Sequence, residues 1–298
     1  MMIIVTGATG QLGRRIVERL LTRVPAERIG VTARDPGRAR AFAERGIRVR
    51  PADFADPASL AHAFEGATRV LVVSVDKLGE DAVRQHRAAI EGAVAAGAQR
   101  ILYTSHAGAN PHSHFEPCRN HAATEEILRT CGVPYTALRN GFYISSALRF
   151  FEHATESGRI TVPADGPVAW TAHDDLAEAA AAILAGEGSF DGPTPPLTAA
   201  HTLTFEDLAA RAGTLLGRDI ERITMSDNEF RGQLTNVGVP AELPDLFLGM
   251  FTAARAGEFA TVDPTLQNLI GRDPLGIDAM LRDQLRLSSR IDIGCGAP

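Results

Sequence analysis

Glycines at positions 7, 10 and 13 follow directly on the β-branched run Ile3-Ile4-Val5 and lead into the apolar spacing Ile16, Val17, Leu20, Leu21. A strand that runs through a glycine turn into a helix leaves the first N–H groups of that helix unpaired and aimed at whatever lies before it. Their positive dipole end favours an anion, and the three glycines have separate uses in a dinucleotide-binding unit. Gly7 permits the turn, Gly10 admits a pyrophosphate through its conformation and its missing Cβ, and Gly13 lets the helix pack on the strand. Gly7, Thr9, Gly10, Gln11, Leu12 and Gly13 are therefore the expected phosphate-binding turn.

About 20 residues further on, where such a fold reads the adenosine ribose, stands Arg34, at the end of the apolar run Ile29-Gly-Val-Thr-Ala33. A planar guanidinium there suits a 2′-phosphate, so the pattern predicts NADPH over NADH. Asp35 competes as an acidic ribose ligand. Followed by Pro36, however, it reads better as the cap of a helix over 36–44.

From the start to about residue 139, short β-branched runs alternate with helical spacing. Strands are predicted at 2–6, 28–34, 47–51, 69–74, 99–105 and 134–138, and helices at 12–23, 36–44, 57–64, 80–97 and 118–131. That alternation implies a Rossmann-type, doubly wound α/β fold with a parallel sheet. Ligand chemistry then gathers at the carboxyl ends of the strands. Those ends carry Asp53 and Phe54, which could meet the adenine, Val73 and Ser74 near the middle of the groove, and Thr104 and Ser105 under the nicotinamide. Asp53 could equally extend the turn that opens the helix after Asp56-Pro57.

Beyond Arg139 the alternation loosens. Residues 158–172 read as a loop with a short strand and 173–186 as a helix. The proline- and glycine-rich 188–196 reads as a connection. Helices follow at 205–217, after Ser226, and at 242–257, 263–270 and 275–286, two of them opened by the capping boxes Thr204-x-x-Asp207 and Ser226-x-x-Glu229. The expected organisation is a dinucleotide-binding domain over 1–139, a smaller, mainly helical substrate lobe over 140–286 interleaved with it, and a flexible tail over 287–298.

A net charge of −6 gives no electrostatic footprint for nucleic acid or anionic lipid. No apolar run approaches the roughly 20 residues that span a bilayer, and the first strand begins with no charged leader region before it, so a cytoplasmic protein is expected. Three widely spaced cysteines and nine histidines without a ligand pair predict neither a disulfide framework nor a metal.

Carbonyl reduction in common short-chain reductases uses Tyr-x-x-x-Lys on the helix after strand five, where lysine lowers the tyrosine pKa. Here that helix reads Pro117-Cys-Arg-Asn-His-Ala-Ala-Thr-Glu-Glu-Ile-Leu-Arg129, with neither residue, and Lys77 is the one lysine in the chain. A Tyr–Lys dyad is excluded, and the same missing pair weighs against a sugar-nucleotide epimerase.

The place is taken by His121-x-x-Thr-Glu125, followed by Val133-Pro-Tyr-Thr-Ala-Leu-Arg-Asn140. Together with Thr6-Gly-Ala-Thr-Gly-Gln-Leu-Gly13 and Arg34, this resembles the NmrA-like branch of atypical short-chain dehydrogenases over about residues 1–285. Within it the chain looks most like the NAD(P)H-dependent quinone oxidoreductases and triphenylmethane reductases. The resemblance implies NADPH held by the glycine turn, Arg34, Val73-Ser74 and the segment Arg139-Asn140-Gly141-Phe142-Tyr143. It also implies hydride transfer without flavin to a small, flat, conjugated substrate. The chain is expected to be a monomer or a homodimer. Asn140 could bond the carboxamide or a substrate oxygen, and His121 could protonate a reduced quinone. Each could as well be structural, as could Phe142, Tyr143 and Trp170 in packing. The alternative reading is a non-catalytic, NADP(H)-sensing regulatory protein.

Overall fold

The computed structural model describes residues 1–152 and 154–282. Nine strands are present among them: β1 (Ile3–Val5), β2 (Ile29–Ala33), β3 (Arg48–Pro51), β4 (Arg69–Val72), β5 (Arg100–His106), β6 (Tyr135–Asn140), β7 (Arg159–Pro163), β8 (Gly192–Pro193) and β9 (Glu221–Met225). Seven form one parallel sheet in the order β3-β2-β1-β4-β5-β6-β8, and β7 pairs with β9 in a separate parallel ribbon. The order reverses between β1 and β4, which is the switch point of a doubly wound fold.

Both faces of this sheet are buried, and the period-2 alternation of the strands divides their side chains between two cores. Ile3, Val5, Leu71 and Leu102 point to one side, where they meet α1 (Gln11–Leu20) and, after α2 (Arg40–Ala43), a much later helix. Ile4, Val70, Val72, Ile101 and Tyr103 point to the other, against α3 (Pro57–Phe64), α4 (Gly79–Ala95) and α5 (Glu116–Thr130).

A third core lies beyond the carboxyl edge of the sheet. Phe142, Phe151, Trp170, Phe205, Phe251 and Phe259 anchor it. It is built by α6 (Ile144–Leu148), α7 (Ala154–Ser157), the β7–β9 ribbon, α9 (Phe205–Leu216), α10 (Asp227–Asn236) and α11 (Leu243–Arg255). Between α7 and α9, the chain returns to the main sheet through α8 (His173–Ala185), which covers the α1 side, and through β8. After α11 it returns again through α12 (Thr265–Ile270). No helix among the described residues is long and apolar enough to cross a membrane.

The α/β architecture with a helical C-terminal part agrees with the sequence analysis, and both capping boxes are formed. Several elements differ. The helix expected over 36–44 is split into a 3-10 turn, Pro36–Ala39, whose cap is the Asp35 carboxylate accepting from the Gly37 amide at 2.9 Å, and the four-residue α2. The connection over 188–196 contains β8, whose two residues pair with Thr136 and Ala137. A two-residue strand containing proline has no periodicity to read, and its partner makes it a strand. The short α6 and the second ribbon strand β9 were not expected either. The expected helix over 275–286 is helical at 277–282, and its remainder lies outside the described residues, as does the expected tail.

One ion pair ties α5 to the sheet. Glu125 is buried on α5 and accepts two bonds from the Arg139 guanidinium of β6, at 3.1 and 2.7 Å, and one from the Ser105 hydroxyl of β5 at 2.6 Å. Removing one partner of such a pair strands the other charge where water reaches it poorly. Glu125→Ala should therefore lower the unfolding free energy by about 3 kcal/mol, the lower end of the range for buried pairs because the Arg139 side chain is 31% exposed. Equilibrium urea denaturation measures this loss, and a midpoint equal to wild type would refute it.

Candidate active site

Parallel register places the candidate residues on one edge. Val5 pairs with Val31 and with Leu71, Val72 with Tyr103, and His106 with Asn140. Gly7, Arg34, Val73, Thr104, His106 and Asn140 thus follow one another across the carboxyl ends of β1, β2, β4, β5 and β6.

At the β1 end, Gly7 has φ +60°, the left-handed conformation that glycine adopts without strain. A Cβ on Gly13 would stand 2.3 Å from the Gly7 carbonyl oxygen, so only glycine lets α1 begin this close to the turn. Gly10 corrects the sequence reading in part. Its φ of −85° is open to any residue, and a Cβ there would meet only the Gly7 oxygen, at 3.3 Å. What Gly10 contributes is the bare surface in front of the helix, since its own side is otherwise open. The first turn of α1 carries no side-chain cap and no acidic residue, which leaves the amides of Gln11, Leu12 and Gly13 facing outward as an anion cradle. Leu12 offers only that amide, because its side chain is buried in the core. Thr9 is half-buried beside it.

Arg34 is exposed and makes no hydrogen bond or ion pair with the described residues. Asp35 is committed to its cap. Asp53 accepts from the Ala55 amide at 2.9 Å, which is the turn role weighed above, and Phe54 packs half-buried against the α3–α4 core.

At β4 and β5, hydroxyls complete the ladder. The Thr6 hydroxyl accepts from the Val73 amide at 2.8 Å, and that of Thr104 accepts from the Ser74 amide at 2.8 Å while donating to Ser74 Oγ at 3.1 Å. The Ser74 hydroxyl is thereby left to donate outward. Ser105 is turned to Glu125 instead, away from the groove.

Four histidines gather behind and beside this edge. His86 Nε2 accepts from the Val75 amide at 3.0 Å, so its Nδ1–H lies 3.0 Å from the Thr124 hydroxyl, which itself donates to the Asn120 carbonyl. The fully buried Tyr103 hydroxyl stands 2.7 Å from His121 Nδ1. Burial pushes His86 down to about 4 and His121 well below its ordinary value, the latter helped by its histidine neighbours. His121 is therefore neutral at physiological pH, a partner of Tyr103 and not the reservoir of protons envisaged from the sequence. His173 is likewise lowered to about 4, first by burial and then by Arg15, and its ring lies 4.2 Å from that of Tyr143.

His106, at the last position of β5, was given no role in the sequence analysis. Its Nδ1 accepts from the Gly108 amide at 2.9 Å, while Nε2 is buried with no partner among the described residues. Next to it Asn140 is 2% exposed, and its Oδ1 also lacks a partner. The Tyr143 phenol lies against the Asn140 amide, and burial raises its pKa. Beyond these side chains is a small pocket of about 10 Å³, room for about one water, lined by His106, Phe142, Ala169, Thr198, Glu258 and Phe259. Gly141 also borders it. A Cβ there would meet Thr171 Oγ1 at 2.3 Å, and the Gly141 amide is spent on the Leu197 carbonyl, so this glycine serves packing. Trp170 donates to the Leu203 carbonyl and packs edge-on to Phe142 at 5.4 Å, behind the pocket wall. Glu258, which lines the pocket, is bonded to the Ser113 hydroxyl and to the amide and ring of His114.

An anion cradle and an unpaired arginine stand at one end of the edge, and a small aromatic-lined pocket at the other. Residues 1–272 match the NmrA-like family. The chain is 36% identical over 273 residues to quinone oxidoreductase 2 of Escherichia coli, covering 91% of this chain and 94% of that protein. The crystal structure of the NADPH-dependent quinone oxidoreductase from Escherichia coli complexed with NADPH superposes with a TM-score of 0.89 at 34% identity, over 95% of this chain and 99% of that one. The triphenylmethane reductase of Citrobacter sp. complexed with NADP(H) gives 0.88 at 31% identity, over 95% and 100%. With its glycine turn, its seven-stranded parallel sheet and nearly full-length likeness to these reductases, the chain belongs to the NmrA-like family.

Proposed function

We propose that this protein is an NADPH-dependent reductase that passes hydride directly to a quinone or a similarly conjugated electrophile, without flavin and without a Tyr–Lys dyad. The observation that carries the reading is the alignment, on one sheet edge, of an uncapped helix start, a free arginine and a small aromatic-lined pocket. The relatives named above support it.

NADPH, when bound, supplies the hydride. The chain supplies placement. The amides of Gln11, Leu12 and Gly13 meet the pyrophosphate, and Arg34 on the neighbouring strand end meets the 2′-phosphate. Val73, Ser74, Thr104 and Tyr143 line the groove toward the pocket, with the Ser74 hydroxyl and Asn140 Oδ1 ready to bond polar groups. Phe142 and Phe259, packed edge-on to one another at 4.9 Å, give the acceptor end of the groove an apolar aromatic floor. A conjugated acceptor is already a strong electrophile, so holding it at about 3–3.5 Å from the donor carbon provides most of the acceleration required.

Purified protein mixed with NADPH and a panel of quinones and cationic dyes should bleach the reduced nicotinamide band well above the enzyme-free rate for at least one acceptor. Turnover at the blank rate across the panel, with NADP+ bound as tightly as NADPH, would replace this reading with the dinucleotide-sensing one. Arg34→Ala should weaken NADPH about ten- to hundredfold, since a charge-assisted contact contributes on the order of 1.5–3 kcal/mol, and leave NADH nearly unchanged. Calorimetric titration of both cofactors decides it: equal weakening of the two would mean that Arg34 does not face the phosphate.

A further inference from the structure

We propose that Arg14, near the start of α1, is a second arginine for the 2′-phosphate of NADPH and closes on it from the helix side while Arg34 meets it from the strand side. The inference rests on NADPH as the cofactor and names a residue that the glycine pattern leaves unassigned.

The other basic residues along this helix are committed. Arg15 pairs with Asp174, Arg19 with Glu178, and Arg23, just past the helix, with Glu178 and Glu187, so that row faces α8 and the segment after it. Arg14 is exposed, and its guanidinium has no hydrogen bond or ion pair among the described residues. It lies about 100° around the helix from Arg15 and belongs to a different face.

That face is identified by the residue one turn on. Glu18 shares the side of α1 on which Arg14 stands, and its two carboxylate oxygens accept from Arg45 Nη1 at 2.8 and 2.7 Å, just after α2. Leu12, Ile16 and Val17 of α1 share one core with Ala39 and Phe42, so α1 and the segment over 36–43 are neighbours. Both leave the carboxyl edge of the sheet and run toward the opposite edge. With Glu18 and Arg45 joined near their far ends, Arg14 and residues 34–38 are left near the mouth of the groove. Helical side chains lean toward the start of their helix, which carries the Arg14 guanidinium further the same way.

Arg34 follows β2, whose Val31 pairs with Val5 just ahead of the glycine turn. Arg38 is also exposed and unpaired among the described residues. Asp35, the one acid over 34–43, is spent on its cap. In a chain of net charge −6, this corner is positive and favours an anion. A phosphate monoester carries roughly −1.5 to −2 at pH 7, more than one guanidinium balances. Two arginines on separate elements supply the balance, each with a fork of N–H donors. NADH has a hydroxyl at this position and gains little from the second arginine.

Calorimetric titration of NADPH and NADH against wild type, Arg14→Ala, Arg14→Lys and Arg28→Ala tests the assignment. Arg28, exposed at the opposite end of β2, controls for the loss of a positive charge alone. Arg14→Ala should weaken NADPH about tenfold and NADH by less than about twofold. Arg14→Lys, which keeps the charge without the fork, should fall between wild type and Arg14→Ala, and Arg28→Ala should match wild type. The advantage of 2′,5′-ADP over 5′-AMP should follow the same order, which reads the phosphate end without nicotinamide.

Equal weakening of NADPH and NADH in Arg14→Ala would put the guanidinium on the pyrophosphate and overturn the proposal. A selective loss in Arg34→Ala with none in Arg14→Ala would overturn it too, with the cofactor reading intact. The same selective loss in Arg28→Ala as in Arg14→Ala would reduce the effect to overall charge and count equally against it. Absence of turnover with every acceptor counts against the reductase reading alone, because these titrations need no acceptor.

Discussion

Parallel pairing is the constraint on which everything else depends. Seven strands that run in one direction must present all their carboxyl ends along one edge, and β1 and β4 must leave a crevice between them where the order reverses. The glycine turn, Arg34, Ser74, His106 and Asn140 come from five strand ends spread over the first half of the chain. They share a surface because the register aligns Val5 with Val31 and Leu71, and His106 with Asn140.

That edge would be a shallow groove without the aromatic core laid over its far end. Phe142 leaves β6 directly into this core, with Trp170, Phe205, Phe251 and Phe259 supplied by later segments. The chain crosses back through α8, β8 and α12 to seal the main sheet, so the two regions are built by interleaved segments. Polar groups buried where they meet are mostly satisfied. Tyr103 with His121, His86 with Val75 and Thr124, and Glu125 with Ser105 and Arg139 each close a local network. His106 Nε2 and Asn140 Oδ1 stand out against that background because they are buried with no hydrogen-bond partner among the described residues.

The histidines show how position overrides residue type. His121 and His106 are stacked at 6.1 Å and both are depressed chiefly by burial, yet one is tied to a tyrosine and the other borders a small pocket. A histidine that is neutral throughout its working range serves as an oriented dipole, and its tautomer is set by a backbone amide.

Much of this protein is legible in its sequence. Short apolar, β-branched-rich runs, helical spacing and Asx-Pro caps depend on near neighbours, which is why β1 to β6, most of their helices and both capping boxes can be read directly. The glycine turn and Arg34 are legible for the same reason, since strand, turn and helix are contiguous. The absence of Tyr-x-x-x-Lys is likewise a local fact. The two-residue β8 and the ribbon strand β9 are set by partners more than 50 residues away, and no local pattern announces them. The conformation of Gly10, the diversion of Ser105 to Glu125 and the unmet nitrogen of His106 are also decided by tertiary contacts. Which atom of a side chain is satisfied depends on what the fold brings within 3 Å of it, and that is a property of the packed chain.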